Sequence, residues 1–93
     1  MIEIAGGSLR VTGPMVIATA AELKAAGMSA LAGDATTVDL SQVTDADSSA
    51  VAVLLAWVRS AQERQRAISI VNSPESVRSL AALYGVADLL PLA

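Results

Sequence analysis

Apolar and polar residues alternate at the start of the chain and then settle into a longer period. In Met1–Ala5, Ile2 and Ile4 fall on one side of an extended backbone; in Ser8–Thr12, Leu9 and Val11 oppose Arg10 and Thr12. A period of two marks a half-buried strand, and Gly6-Gly7 between the segments is a turn signal. Together they predict a hairpin, ended by Gly13-Pro14 because proline has no N–H to give to a ladder. Met15–Ala18 reads equally as loop or extended chain. Thr19 is a fitting N-cap for a helix to about Leu31, with Ala20, Leu23, Ala30 and Leu31 as its buried stripe. Gly27 falls on that same face, where it costs up to about 1 kcal/mol relative to Ala. Close approach of the helix to the sheet would offset that cost.

Gly33-Asp34 predicts a turn and Thr36–Leu40 a compact strand, with Val43 continuing the apolar count before the polar run DADSS. A helix follows from about Ser48 to Gln65. At about 100° per residue, Val51, Leu54, Leu55 and Val58 form its core face. Ala50, Val53 and Trp57 form a second stripe about 100° or more round the cylinder. Periodicity leaves two readings of that stripe open: a second core contact, or an exposed apolar patch for docking. Ala67–Val71 is a short β-branched strand. Ser73 then serves as N-cap with Pro74 at the first helical position, and Val77, Leu80, Ala81 and Tyr84 share one face up to a stop at Gly85. The apolar tail VADLLPLA is expected to pack back on the domain. Strands alternating with helices predict crossover units with parallel neighbours, hence a single α/β domain over residues 1–93 with a mixed sheet of about four strands.

Composition narrows the chemistry. The chain has 93 residues, 54% of them hydrophobic, with Trp57 and Tyr84 as its only aromatics. Its core must therefore be built from small and branched aliphatics. Cys and His are both absent, which removes disulfides, a thiol nucleophile and the commonest general base and metal ligand. This points away from an enzyme. A net charge of −3 with scattered cations disfavours nucleic acid. No apolar run reaches the length of a membrane span, and the N-terminus lacks the pattern of a signal peptide, so a cytoplasmic protein without membrane insertion is expected.

The turn Asp45-Ala46-Asp47-Ser48-Ser49 opens the second helix, where free N–H groups and the dipole favour an oxygen-bearing side chain or a phosphate. Asp47 or Ser48 as a simple cap is one reading; a phosphoacceptor or partner contact is the other. Asp45 and Asp47 could hold Mg²⁺, but no Gly-rich phosphate loop accompanies them, and no metal or cofactor is expected. Arg59, Arg64 and Arg66 read as a solvated face that could also meet an acidic partner.

The string VDLSQVTDADSSAVAVLLAW resembles the signature of the STAS domain family, shared by anti-sigma factor antagonists and sulfate-transporter tails. The resemblance rests on Asp39-Leu40-Ser41 and on Asp47-Ser48-Ser49-Ala50-Val51, and the order of elements agrees along essentially the whole chain. Where the family pattern has Gly and Leu, this chain has Ala50 and Val51. Together with the segment SVRSLAALYGVADLLP, the likeness is greatest to the small STAS subunits of Mla-type phospholipid-transport ABC systems. That likeness implies a non-catalytic cytoplasmic subunit that binds an ABC ATPase and supports outer-membrane lipid asymmetry. Asp47, Ser48, Ser49, Ala50, Val53 and Trp57 are then the expected partner contacts, and Ser48 matches the hydroxyl at the ATPase contact. The alternative implied by the family is an anti-sigma factor antagonist, phosphorylated at Ser49 by an anti-sigma factor kinase. A nucleotide-binding STAS module is a third.

Overall fold

The computed structural model describes residues 1–92; Ala93, the last residue of the expected domain, lies outside them. The chain runs β1 (Ile2–Ala5), β2 (Ser8–Met15), α1 (Ile17–Ala32), β3 (Thr37–Ala46), α2 (Ser48–Glu63), β4 (Ser69–Val71) and α3 (Glu75–Leu83), then a short 3-10 turn, Ala87–Leu89. The sheet order is β1-β2-β3-β4, with β1 antiparallel to β2 and the other pairs parallel. Both crossovers step the same way across the sheet. Right-handed connections therefore place α1 and α2 on one face, where they pack on each other.

Leu9, Val11, Val38, Leu40 and Ile70 point from the strands into this helix layer and are fully buried. The other face carries the polar partners of the same strands. Arg10 Nε donates to Asp39 Oδ2 at 3.4 Å, and Asn72 Nδ2 donates to Asp39 Oδ1 at 3.1 Å. Alternation of this kind is what a sheet covered on one side requires.

Two strands run further than period two predicts. β3 has ten residues against eight in β2, and the register slips between Arg10 and Thr12 and again between Gly13 and Met15. Each slip sets one extra β3 residue against β2, so the inward alternation of Val38 and Leu40 is lost beyond Leu40 and Gln42 is exposed. β2 passes through Gly13-Pro14 because β1 is already finished there: its register ends at Ile2 opposite Val11. The missing N–H of Pro14 thus leaves no neighbour unpaired on that side, and Gly13 supplies a φ of +93° at the second slip.

The helix starts also move. Thr19 is not the N-cap of α1; it sits one turn in, accepts the Val16 N–H at 3.1 Å and donates to the Pro14 carbonyl at 2.9 Å. α3 begins at Glu75 with Pro74 in the cap position, while the Ser73 hydroxyl is buried with no hydrogen-bond partner among the described residues. α3 ends in a Schellman pair, Gly85 N–H to Ala82 O at 3.1 Å and Val86 N–H to Ala81 O at 2.9 Å. The tail returns to the sheet: Leu90 is buried, and Ile70 N–H donates to Pro91 O at 3.0 Å. Arg66 is exposed, as are Arg59 and Arg64, yet it has a structural partner. Its guanidinium donates to the carbonyls of Leu31 and Gly33 and so closes the C-terminus of α1.

The seam between α1 and α2 is built on one large-to-small contact. Trp57 has 0% exposure and its indole N–H donates to the Lys24 carbonyl at 3.2 Å. A methyl group placed on Gly27 would lie 2.1 Å from Trp57 Cε2, far inside contact distance. Ala at this position would gain about 1 kcal/mol of helix propensity, but the overlap would force the seam apart at a cost of about 1–3 kcal/mol or more. Gly27→Ala is therefore expected to lower stability in urea unfolding, with Trp57→Leu in the same chain recovering part of the loss. A Gly27→Ala protein as stable as the parent would show that the seam is looser than this contact requires.

Candidate protein-docking site

β2 and β3 end side by side, and Asp47 joins them to both helices. Its own N–H donates to the Met15 carbonyl at 3.3 Å. As N-cap of α2 it accepts the Ser49 N–H on Oδ1 at 2.8 Å. Its Oδ2 accepts the N–H of Ile17, the first residue of α1, at 3.1 Å. One carboxylate thus caps two helices whose starts lie thirty-one residues apart in sequence. The backbone bond from Ser49 is the chief reason its carboxyl lies below the usual 3.8; partial desolvation opposes this, and the bond from Ile17 adds to it.

With each oxygen accepting from a backbone donor, Asp47 holds the turn in shape. Ser48 is exposed and Ser49 half-buried. The Asp45-Asp47 pair has only the exposed Asp45 carboxylate uncommitted, and among the described residues no group of three acidic side chains gathers at one point.

The second stripe of α2 belongs to the core. Ala50, Val53 and Trp57 are all buried, because α1 lies over that side of the helix with Gly27 against the indole. None of the three offers its side chain to a partner in this fold. At the departure from the family pattern, the Ala50 methyl is fully buried in the core.

The uncovered apolar surface lies on another side of α2. Ser48, Val51, Ala52 and Leu55 line a groove of about 310 Å³ whose far wall is Tyr84 and Val86, just past the end of α3. Tyr84 was expected on the buried face of α3 but is 54% exposed, because α3 stops at Leu83 and the ring stands at its cap. Leu55, assigned to the core by its angle, is only partly buried and forms the groove floor. Sequence periodicity missed Ala52, Tyr84 and Val86. The signal that could have found Tyr84 was Gly85 directly after it, which ends the helical angle on which the stripe assignment depended.

A one-sided sheet, two capped crossover helices and an exposed serine at the start of the second define an interaction module of the STAS class. The chain belongs to that family: the family model described as "Mlab, STAS domain" matches residues 2–91. No curated relative matches the chain. Among solved structures it is similar to the Bacillus cell fate determinant SpoIIAA in its phosphorylated form, with TM-score 0.69 and 18% identity over 100% of this chain and 89% of the other. It is similar to an anti-sigma factor antagonist from Mycobacterium paratuberculosis, with TM-score 0.74 and 21% identity over 99% and 81%. A sulfate transporter family protein from Wolinella succinogenes has TM-score 0.70 and 13% identity over 97% and 79%. At these identities the likeness is one of fold.

Two carboxyls tie stability to pH with a definite sign. Asp39 is lowered to about 2, first by the Ser41 N–H that it accepts at 2.9 Å, with Asn72 and Arg10 adding to it against desolvation. Asp47 is lowered from 3.8 for the reasons above. A carboxyl depressed on folding stabilises the fold above its unfolded value and loses that contribution as pH falls through its folded value. Asp47→Asn is expected to lower the urea midpoint at neutral pH and to flatten its decline between about pH 5 and pH 3. A variant curve parallel to the parent's across that range would sink the two-helix cap.

Proposed function

We propose that the chain is the non-catalytic STAS subunit of an Mla-type phospholipid-transport ABC system. In this reading it works in the cytoplasm and binds the ABC ATPase to support its assembly and activity. The observation that supports this is the uncovered apolar groove beside Ser48, at a helix start of a chain matched over residues 2–91 by an MlaB-labelled family model. Ser48 and Ser49 supply the polar rim, Leu55 and Tyr84 the desolvated contact, and Asp47 the rigidity of the helix start. An interface with an apolar centre and a small polar rim fits this division. The chain would act by holding one arrangement of the ATPase. Among the described residues no helix is long and apolar enough to cross a membrane, so the link to the bilayer would run through that partner.

A second reading is an anti-sigma factor antagonist, favoured by the half-buried position of Ser49 against Asp47. A phosphate on Ser49 would add about −1.5 to −2 charges beside a carboxylate that holds two helix starts. It would repel Asp47 and loosen the start of α1 as well as α2.

Co-purification with the ATPase separates the readings. Leu55→Asp and Tyr84→Ala are each expected to weaken the complex at least tenfold while leaving far-UV circular dichroism unchanged. Trp57→Phe, placed in the core, is expected to leave the affinity as it was. A complex indifferent to Leu55→Asp and Tyr84→Ala would move the interface elsewhere. Stoichiometric phosphate on Ser49 after incubation with an anti-sigma factor kinase would favour the second reading.

A further inference from the structure

The two edges of the sheet are finished differently. At β4 the tail returns: Ile70 N–H donates to the Pro91 carbonyl at 3.0 Å and Leu92 bridges Ile70 in parallel, so that edge is covered. No strand or tail segment among the described residues pairs with the outer side of β1. β1 joins β2 through the two-residue turn Gly6-Gly7, with Ala5 opposite Ser8, Ile4 opposite Leu9 and Glu3 opposite Arg10. Thr12 N–H donates to the Met1 carbonyl at 2.6 Å. Main-chain groups alternate in direction along a strand, so Met1, Glu3 and Ala5 turn theirs to β2, and Ile2 and Ile4 turn theirs outward. This edge carries no proline, lysine or bulge, the features that ordinarily blunt one. The Ile4 side chain shares the helix side of the sheet with Leu9 and is 61% exposed. Beside it lies an open groove of about 590 Å³ whose α1 wall is Ala26, Ser29 and Ala30.

We propose that β1 pairs antiparallel with β1 of a second copy of this chain, Ile4 facing Ile4, in a transient dimer with one sheet running through both copies. Hydrogen bonding, closure and charge argue for it together. A row of free N–H and C=O groups is matched by another strand. The covered β4 edge of a copy cannot supply that strand, so edge contact between copies has to be β1 on β1, a two-fold arrangement that closes at two subunits. Residues directly opposite in an antiparallel pair share a face, and two registers use the outward groups. With Glu3 opposite Glu3, like carboxylates would meet in the close pair, at about 4.5 Å between Cα atoms. With Ile4 opposite Ile4, the two isoleucines exchange both main-chain bonds and Glu3 lies opposite Ala5 of the second copy. The polar face is notched there: a depression of about 100 Å³ is lined by Glu3, Ala5, Ser8 and Arg10. The small Ala5 side chain leaves room for the incoming carboxylate, and Arg10, 3.9 Å from its own Glu3, supplies the opposite charge. On the other face the two Ile4 side chains cover each other beside the alanine walls of the two grooves. An edge of four residues is small beside the ~1,200 Å² that standard complexes bury, which makes the association transient.

The chain has no cysteine, so single introduced thiols report on the pairing. Ile4→Cys is expected to form a disulfide-linked dimer on mild oxidation, since a hydrogen-bonded pair sets its Cα atoms about 5.5 Å apart, within disulfide reach. Glu3→Cys should crosslink only when mixed with Ala5→Cys, and Ala25→Cys, on the exposed side of α1, not at all. Sedimentation equilibrium of the unaltered chain should show a reversible, concentration-dependent dimer. Ile4→Lys, at an exposed position, and Ile4→Pro, whose lost N–H faces away from β2, should each weaken it about tenfold or more with far-UV circular dichroism unchanged. A chain that stays monomeric to its solubility limit, or a dimer indifferent to Ile4→Lys, would overturn the pairing. Crosslinking by Glu3→Cys alone would rule out this register. An Ile4→Cys crosslink in cells that reaches only a different protein would exclude a second copy as the occupant of the edge.

Discussion

Asp47 donates its backbone N–H to β2 and accepts one helix start on each oxygen, so four elements meet at one side chain. The placement depends on β3 being two residues longer than its neighbour. The two slips in register carry the strand past the end of β2's alternation and bring the carboxylate level with Ile17. A strand of even register would reach the same point two residues earlier in its own sequence, at Asp45, which is exposed here. The starts of both crossover helices, and with them the exposed Ser48, are placed by where Asp47 stands.

A second constraint lies at the other end of the helix pair. The core holds no Phe and one Trp, so most of it is Leu, Val and Ala. A full-sized aromatic can be buried in so thin a layer only where the facing helix has no side chain. Gly27 provides that place, and its propensity cost of about 1 kcal/mol is small beside the roughly 1.5–3 kcal/mol gained by burying even one large apolar side chain. The same arrangement decides which side of α2 is left uncovered. α1 covers Ala50, Val53 and Trp57, the sheet takes Leu54, and the remaining side is walled by Tyr84 and Leu89.

The chain's periodicity made the element order, the hairpin, the crossovers and the capped start of α2 legible, because each depends on neighbours within a few residues. What it hid depends on distant ones. Thr19 looks like an N-cap locally, yet the donor at Ile17 is satisfied by a carboxylate thirty residues on. Beyond Leu40 the alternation breaks because the bulges move side chains from one face to the other, so β3 seems to end early. The angle on a helical wheel set Ala50, Val53 and Trp57 apart from Leu54 and Val58 but misplaced Leu55, and it could not say which stripe would be covered, since that is decided by Gly27 on another helix. Tyr84 failed for a simpler reason: a wheel has no meaning past the last helical residue.

Burial of the single indole has an optical consequence. With Trp57 enclosed between α1 and α2 and Tyr84 standing in the groove, the two aromatic chromophores of the chain report on different places. Indole emission follows the closeness of the two helices, and tyrosine absorbance follows the surroundings of the groove. A ligand that fills the groove and a modification that loosens the helix starts would therefore leave separate spectral signatures in the unlabelled protein.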